Sequence, residues 1–356
     1  MYIIGKKSHQ ILILRKEYIM KIKNLGRTGL KVSEVCLGTM TFGYQCDENT
    51  SFAILNKAWE GGVNFIDTAD VYPLPVDIKT VGSTETIIGN WFKANPGRRH
   101  ETILASKCNG KMSDAPNDQG LSRRHIMDAI DASLKRLQTD FIDLYQVHFY
   151  DSNTPLDETL RALDDIVRAG KARYIGCSNY QAYQLAKALW RSDKLGLERY
   201  NCIQPRYNLL FREFEKELFP LCQEEGVGVI VYNPLAGGFL TGKHKRDREP
   251  DEMGRFKLGD AGKLYQSRYW QGAQFDAVEK MKEYFEKKNK SLTHVSLAWV
   301  LNNPVVTSAI VGASKPEQLN DSLKAIEVKL DAEETEFLNT LWYNLPKIRD
   351  PKFALR

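Results

Sequence analysis

Three consecutive stretches decide the fold: Phe141-Ile142-Asp143-Leu144-Tyr145-Gln146-Val147, then Thr154-Pro155-Leu156 through Ala169-Gly170, then Arg173-Tyr174-Ile175-Gly176-Cys177. The outer two are short and apolar, the pattern of strands buried on both faces. Between them, Leu156, Leu160, Leu163 and Ile166 recur at helical spacing and form one apolar stripe. Thr154 is placed to cap that helix, Pro155 suits its first position, and Gly170 supplies the stop. The whole reads as a strand–helix–strand unit with parallel strands.

The same unit repeats in both directions. Further strand-like runs are Val35–Thr39, Asn64–Asp67, Ile103–Ser106, Cys202–Gln204, Val227–Val231 and Ala309–Gly312, which makes eight with the two above. Another amphipathic stretch, Ser122–Leu137, carries Ile126, Ile130 and Leu134 at four-residue spacing behind a capping Ser122. Eight such units suit an α/β (β/α)8 TIM barrel better than an open doubly wound sheet. Lys23–Leu30, with glycine turns at Gly26 and Gly29, reads as an N-terminal hairpin able to plug the barrel bottom. Residues 1–19 fit no fold pattern and read as a disordered leader or a start-site artefact. One barrel domain with a C-terminal tail is therefore expected over 20–356. Two long loops interrupt the rhythm, Pro73–Gly82 and the charged Lys243–Tyr269. Both follow strand ends, where loops commonly serve the site.

Composition narrows the function classes. The 356 residues are 42% hydrophobic, and 50 basic against 45 acidic residues give a net charge of +5. Charges this mixed do not form a nucleic-acid footprint, though they mildly favour an anionic small molecule. No run reaches the roughly 18 apolar residues of a membrane span. The six cysteines form no CxxC pair and no metal-ligating cluster. They read as buried thiols of a reducing, cytoplasmic compartment. The expected partner is a small carbonyl or alcohol, with no metal, no nucleic acid and no membrane, and the oligomeric state is left open.

Asp67, Tyr72, Lys107 and His148 each lie at or just past the end of a strand-like run, so a parallel barrel would open all four onto one face. Alone, each has a plain structural explanation: an ion pair, a packed aromatic, a core histidine. Together they suit proton delivery to a carbonyl oxygen. A free tyrosine has a pKa of about 10, and a neighbouring ammonium is expected to lower it. Lys107 can supply that charge, Asp67 can hold Lys107 in place, and His148 can orient the carbonyl.

Gly62-Val63-Asn64-Phe65-Ile66-Asp67-Thr68-Ala69-Asp70-Val71-Tyr72 resembles the signature of the aldo-keto reductase superfamily. Leu25–Ser33, Gly176–Asn179, Gln204–Asn208 and Tyr232–Ala236 are similar to further motifs of that family, in consistent order over about residues 22–328. The resemblance implies that Asp67, Tyr72, Lys107 and His148 form the catalytic tetrad, and that a nicotinamide dinucleotide binds without a Rossmann domain. By the same resemblance Ser178, Asn179 and Gln204 meet the carboxamide and Tyr232 stacks on the nicotinamide. Asn233, Pro234, Leu235 and Gly237 form the pyrophosphate loop, with Lys243 and Arg255 as phosphate partners. Gly312, Ser314, Lys315, Gln318 and Asp321 would surround the adenosine end. Ser314 and Lys315 at a helix start favour NADP(H), and NAD(H) stays open. Asp321-Ser322 departs from the Glu-Asn of many relatives, and Asn233 from a common Ser.

Gly237–His244 approaches a P-loop but lacks the Ser or Thr after Lys243 that would ligate magnesium. Phe42, Tyr44, Phe149, Tyr150 and the Pro73–Gly82 loop are the expected substrate walls. The competing reading is an NADP-binding regulatory subunit. The β subunits of voltage-gated potassium channels share the family's barrel but carry Asn where this chain has His148.

Overall fold

Eight parallel strands close into a barrel, and each coincides with one of the runs read from the sequence. In chain order they are Val35–Gly38, Phe65–Asp67, Ile103–Cys108, Ile142–Val147, Ala172–Ser178, Cys202–Gln204, Gly228–Val231 and Val306–Gly312. The eighth pairs with the first, Gly312 opposite Gly38, and this closes the ring. The computed structural model describes residues 11–15, 18–252 and 254–347. None of its described helices is long and apolar enough to cross a membrane.

The strands are apolar because both faces are buried. Outward residues such as Leu37, Ile66, Leu104 and Ile175 pack under the helices, whereas Cys36, Phe65, Ala105, Leu144 and Ile230 fill the barrel interior. The plug is present. Tyr18–Asn24 pairs antiparallel with Lys31–Ser33, and the hairpin inserts Leu25 and Val32 into the interior cluster. Lys23 Nζ donates to the Val306 carbonyl at 3.0 Å, tying the plug to the start of the eighth strand. Gly26 has a left-handed φ of 57°, and a Cβ there would lie 2.4 Å from the Gly226 carbonyl oxygen. Only glycine allows that approach. Within the 1–19 extension, residues 1–10 lie outside the described residues. Ile11–Arg15 forms a strand that pairs with Tyr18–Asn24.

The helices follow their stripes, with two local differences. Arg123–Leu137 is capped by Ser122, whose Oγ accepts from the His125 N–H. It buries Ile126 and Ile130, while Leu134 is half-buried. In Leu156–Arg168 the cap residue is Pro155 rather than Thr154, because the Thr154 hydroxyl donates instead to Asp151 Oδ2 at 2.7 Å. The expected loop 243–269 ends in a helix, Gly259–Tyr269. Its glycines and the charged run before it hid the inward spacing of Gly262, Tyr265, Arg268 and Tyr269, which are buried. Beyond the barrel, Ala332–Tyr343 forms a helix with an Asp331/Glu334 capping box.

Behind the second and third strands sits a buried ionic group. Glu85 is inaccessible to solvent. It accepts from Arg136 Nε at 2.7 Å and from Ser106 Oγ at 2.5 Å. Asp70 beside it is equally buried, and burial followed by the charge of Glu85 pushes its carboxyl well above the usual range. Arg136→Ala would strand the Glu85 carboxylate without a counter-charge. The expected cost is about 3–5 kcal/mol, read as a lower midpoint in urea unfolding, while Arg136→Lys should recover part of it.

Candidate active site

Strand register brings the polar residues to one end of the barrel. Asp67 ends the second strand opposite Ala105, Lys107 lies opposite Gln146, and Ser178 opposite Gln204. Lys107 Nζ donates to Asp67 Oδ2 at 2.6 Å and to the Thr68 carbonyl at 2.8 Å. The other carboxylate oxygen of Asp67 accepts from Gln204 Nε2 at 2.8 Å and Gln146 Nε2 at 3.2 Å. Lys107 is fully buried and Asp67 is 3% exposed, so this pair is satisfied by hydrogen bonds on both sides.

Tyr72 lies over that pair, its ring centroid 5.1 Å from Lys107 Nζ. The His148 ring meets it edge-on at 5.9 Å and stacks on Phe149 at 4.9 Å. Asn179, at a left-handed φ of 60°, donates to the His148 carbonyl at 3.0 Å. The Tyr232 hydroxyl donates to Asn179 Oδ1 at 2.8 Å, and Ser178 Oγ to the Gln204 carbonyl at 2.8 Å. One network therefore fixes His148, Asn179, Ser178, Gln204 and Tyr232.

Burial pushes the Tyr72 phenol up from its ordinary value; Lys107 opposes this and Asp67 adds to it. The net shift is upward, which corrects the expectation of a phenol below its ordinary value, although Lys107 itself pulls it down as expected. A phenolate in this enclosed site is penalised by desolvation more than one nearby ammonium, already shared with Asp67, can offset. For Lys107, burial pulls the ammonium down, but Asp67 and Tyr72 outweigh it and hold it above its usual range.

Asp67, Tyr72 and His148 open into a cleft of about 1380 Å³, with Lys107 beneath its floor. All fifteen residues expected at a cofactor line it, from Ser178, Asn179, Gln204 and Tyr232, through Asn233, Pro234, Leu235, Gly237, Lys243 and Arg255, to Gly312, Ser314, Lys315, Gln318 and Asp321. The middle of the cleft is a turn built from left-handed residues: Asn233, Ala236, Gly237 and Gly238 have φ of 64°, 52°, 71° and 94°. A Cβ on Gly237 would lie 2.6 Å from Tyr265 Cδ1, so a side chain there would collide with that ring. Asn208 Nδ2 donates to the Asn233 carbonyl at 2.9 Å, and Asn233 Nδ2 to the Tyr269 hydroxyl at 2.9 Å. At the far end Lys315 caps the helix Pro316–Leu323, while Gln318 Oε1 accepts from the Ser314 N–H at 2.9 Å. Asp321 accepts from His294 Nε2 at 3.0 Å.

The substrate walls were read less well. Phe149 lines the cleft, as do Leu74, Pro75 and Val76 of the 73–82 loop. Three of the expected aromatics do not line it. Phe42 is a fully buried core residue, Tyr44 is 50% exposed, and Tyr150 packs edge-on against Tyr180. Met40, Val71, Leu264, Tyr265 and Arg268 line the cleft instead. Gln146 was also missed, although it lies two residues before His148, in the strand Ile142–Val147 that His148 directly follows. Among the described residues no group of three or more His, Cys, Asp or Glu could hold a metal ion. All six cysteines are buried and unpaired.

The profile of the Aldo/keto reductase family matches residues 34–342. This chain belongs to that family. It is 40% identical to an uncharacterized oxidoreductase of Bacillus subtilis, over 91% of this chain and 96% of that protein. It is 35% identical to an Arabidopsis thaliana protein named "Probable voltage-gated potassium channel subunit beta", over 87% of this chain and 92% of that one. An aldo-keto reductase of Metarhizium robertsii is 33% identical over 90% of each chain. As a family member the protein is an NAD(P)H-dependent oxidoreductase of the carbonyl-reducing kind.

Proposed function

We propose that the protein reduces an aldehyde or ketone to the alcohol with NADPH, and that Tyr72 is the proton donor. The observation that carries this reading is the buried Lys107–Asp67 pair under the Tyr72 ring, with His148 alongside, at the floor of the long cleft. The cleft's donors fit a dinucleotide: a left-handed turn at Asn233–Gly238, the cations Lys243, Arg255 and Lys315, and a helix start at Lys315. Ser178, Asn179 and Gln204 would hold the carboxamide, and Tyr232 the ring face.

When bound, a reduced nicotinamide supplies the hydride for the carbonyl carbon. Tyr72 gives its phenolic proton to the carbonyl oxygen, which His148 orients by a hydrogen bond. Lys107, kept as an ammonium by Asp67, stabilises the phenolate left behind. Buried, unpaired cysteines support a reducing, cytoplasmic setting.

The test is oxidation of NADPH and NADH, followed by absorbance, across aldehydes, ketones and sugars. Turnover with several carbonyls and preference for NADPH are expected. Tight NADPH binding with no turnover on any carbonyl would overturn this reading in favour of a regulatory subunit. Lys315→Ala is expected to raise KM for NADPH about tenfold, or about 1.4 kcal/mol, and to leave KM for NADH unchanged. Equal effects on both would remove Lys315 from 2′-phosphate recognition.

A further inference from the structure

Lys243 and Arg255 lie twelve positions apart in a highly charged segment, yet both line the middle of the cleft. Cations on such a segment lose entropy when they are held on a ligand, and packing that sets their positions beforehand lowers that cost. Their own side-chain contacts are slight. Lys243 Nζ is 3.8 Å from Asp251 Oδ2, with both side chains more than half exposed. Arg255 meets only the Met40 sulfur at 3.6 Å and the face of Tyr265 at 5.7 Å among the contacts described.

The residues next to them are different. His244 follows Lys243 and Phe256 follows Arg255, and these two rings meet edge-on at 5.1 Å. Trp270 packs on both, 5.1 Å from His244 and 5.0 Å from Phe256. Phe239, just past the glycines of the left-handed turn, completes the group at 6.0 Å from each and 5.9 Å from Trp270. Edge-on aromatic pairs contribute about 0.5–1.5 kcal/mol each beyond their buried area. The cluster joins the turn, both cation-bearing positions and the residue after the helix Gly259–Tyr269.

His244 is the polar member of this group. Its Nε2 is buried and has no hydrogen-bond partner among the described residues. Burial, with Lys243 adding to it, pushes the imidazole down to about 4, so at neutral pH it is an uncharged ring. It packs as an aromatic.

We infer that His244 is a positioning residue for phosphate binding: its ring, locked against Phe256, Trp270 and Phe239, sets Lys243 and Arg255 where they meet the cofactor's phosphates. The inference rests on the reading above that these two cations face phosphate. His244 itself touches neither cofactor nor substrate.

The experiment measures Kd for NADPH by fluorescence at several KCl concentrations, together with kcat at saturating NADPH. The proteins are the unaltered chain, His244→Ala, His244→Phe and the double variant Lys243→Ala/Arg255→Ala. His244→Ala should raise Kd about tenfold and flatten its salt dependence, because the cations no longer engage, and the loss should fall on Kd rather than on kcat. His244→Phe should restore both affinity and salt dependence. If the double variant weakens binding but His244→Ala does not, the inference fails and the phosphate reading stands. If the double variant also binds normally, the phosphate reading itself fails. Should His244→Ala not fold, Phe256→Leu removes the same ring contact and carries the same expectations.

Discussion

Tyr72→Phe is expected to bind NADPH as the unaltered protein does and to lose about 10²–10⁴-fold in kcat, the usual contribution of a positioned general acid. The substitution removes one oxygen and keeps the ring that lies over Lys107 and against His148. Asp67, Gln146, Gln204, Ser178, Asn179 and Tyr232 are joined to one another through hydrogen bonds that do not include that oxygen. Folding and cofactor affinity should therefore survive, and the loss should fall on the chemical step. The direction of the pKa shift sharpens the test. Because burial holds the phenol above its ordinary value, Tyr72 stays protonated through neutral and mildly alkaline pH. Reduction should then be flat with pH and decline only above about 10. Oxidation of an alcohol needs the phenolate as proton acceptor, so its rate should climb across the same range. Full turnover by Tyr72→Phe, or reduction that falls between pH 6 and 8, would remove Tyr72 from the role of acid.

The upward shift was not legible in the sequence, and the reason is specific. A tyrosine, a lysine and an aspartate at strand ends announce a charge pair beside a phenol, but not how much water reaches them. Desolvation is a property of the closed barrel, and here it outweighs the ammonium. The barrel itself was legible because strands buried on both faces must be apolar along their length, and eight such runs stood out between helical stripes. The residues that the family resemblance assigns to a cofactor come together in one cleft, and Asn233 and Gly237 among them sit at left-handed φ. The substrate walls follow a different logic. Phe42 belongs to a loop that folds back into the core, where Thr84 Oγ1 donates to its carbonyl at 2.7 Å. Met40, two residues earlier, lines the cleft in its stead. Aromatic type says little about which way a loop residue turns. Helix Gly259–Tyr269 was hidden because Gly259 and Gly262 are poor helix formers and the charged run before it sets the character of the whole segment, and its inward Tyr265 and Arg268 supply walls that the strand pattern could not suggest.

Lys107→Met is expected to abolish measurable turnover and to destabilise the fold by about 3–5 kcal/mol, the cost of removing one partner of a buried ion pair. Methionine nearly preserves the length and apolar stem, so lost packing is small. What it leaves is Asp67, 3% exposed, still accepting from Gln146 and Gln204 but facing no cation, and a Thr68 carbonyl without its donor. That carboxyl should then be pushed up by burial. A group whose folded-state pKa is raised contributes stability below its unfolded pKa and loses it as pH rises through the folded value. The deficit of Lys107→Met should thus be largest at neutral pH and shrink on acidification, which urea midpoints at a series of pH values would show. The double variant Lys107→Met/Asp67→Asn removes the stranded charge. It should regain much of the lost stability and its pH dependence, with no recovery of turnover, because the phenolate of Tyr72 still has no ammonium beside it. Equal deficits in the single and double variants would assign the cost to the packing of the lysine stem and not to the charge of Asp67.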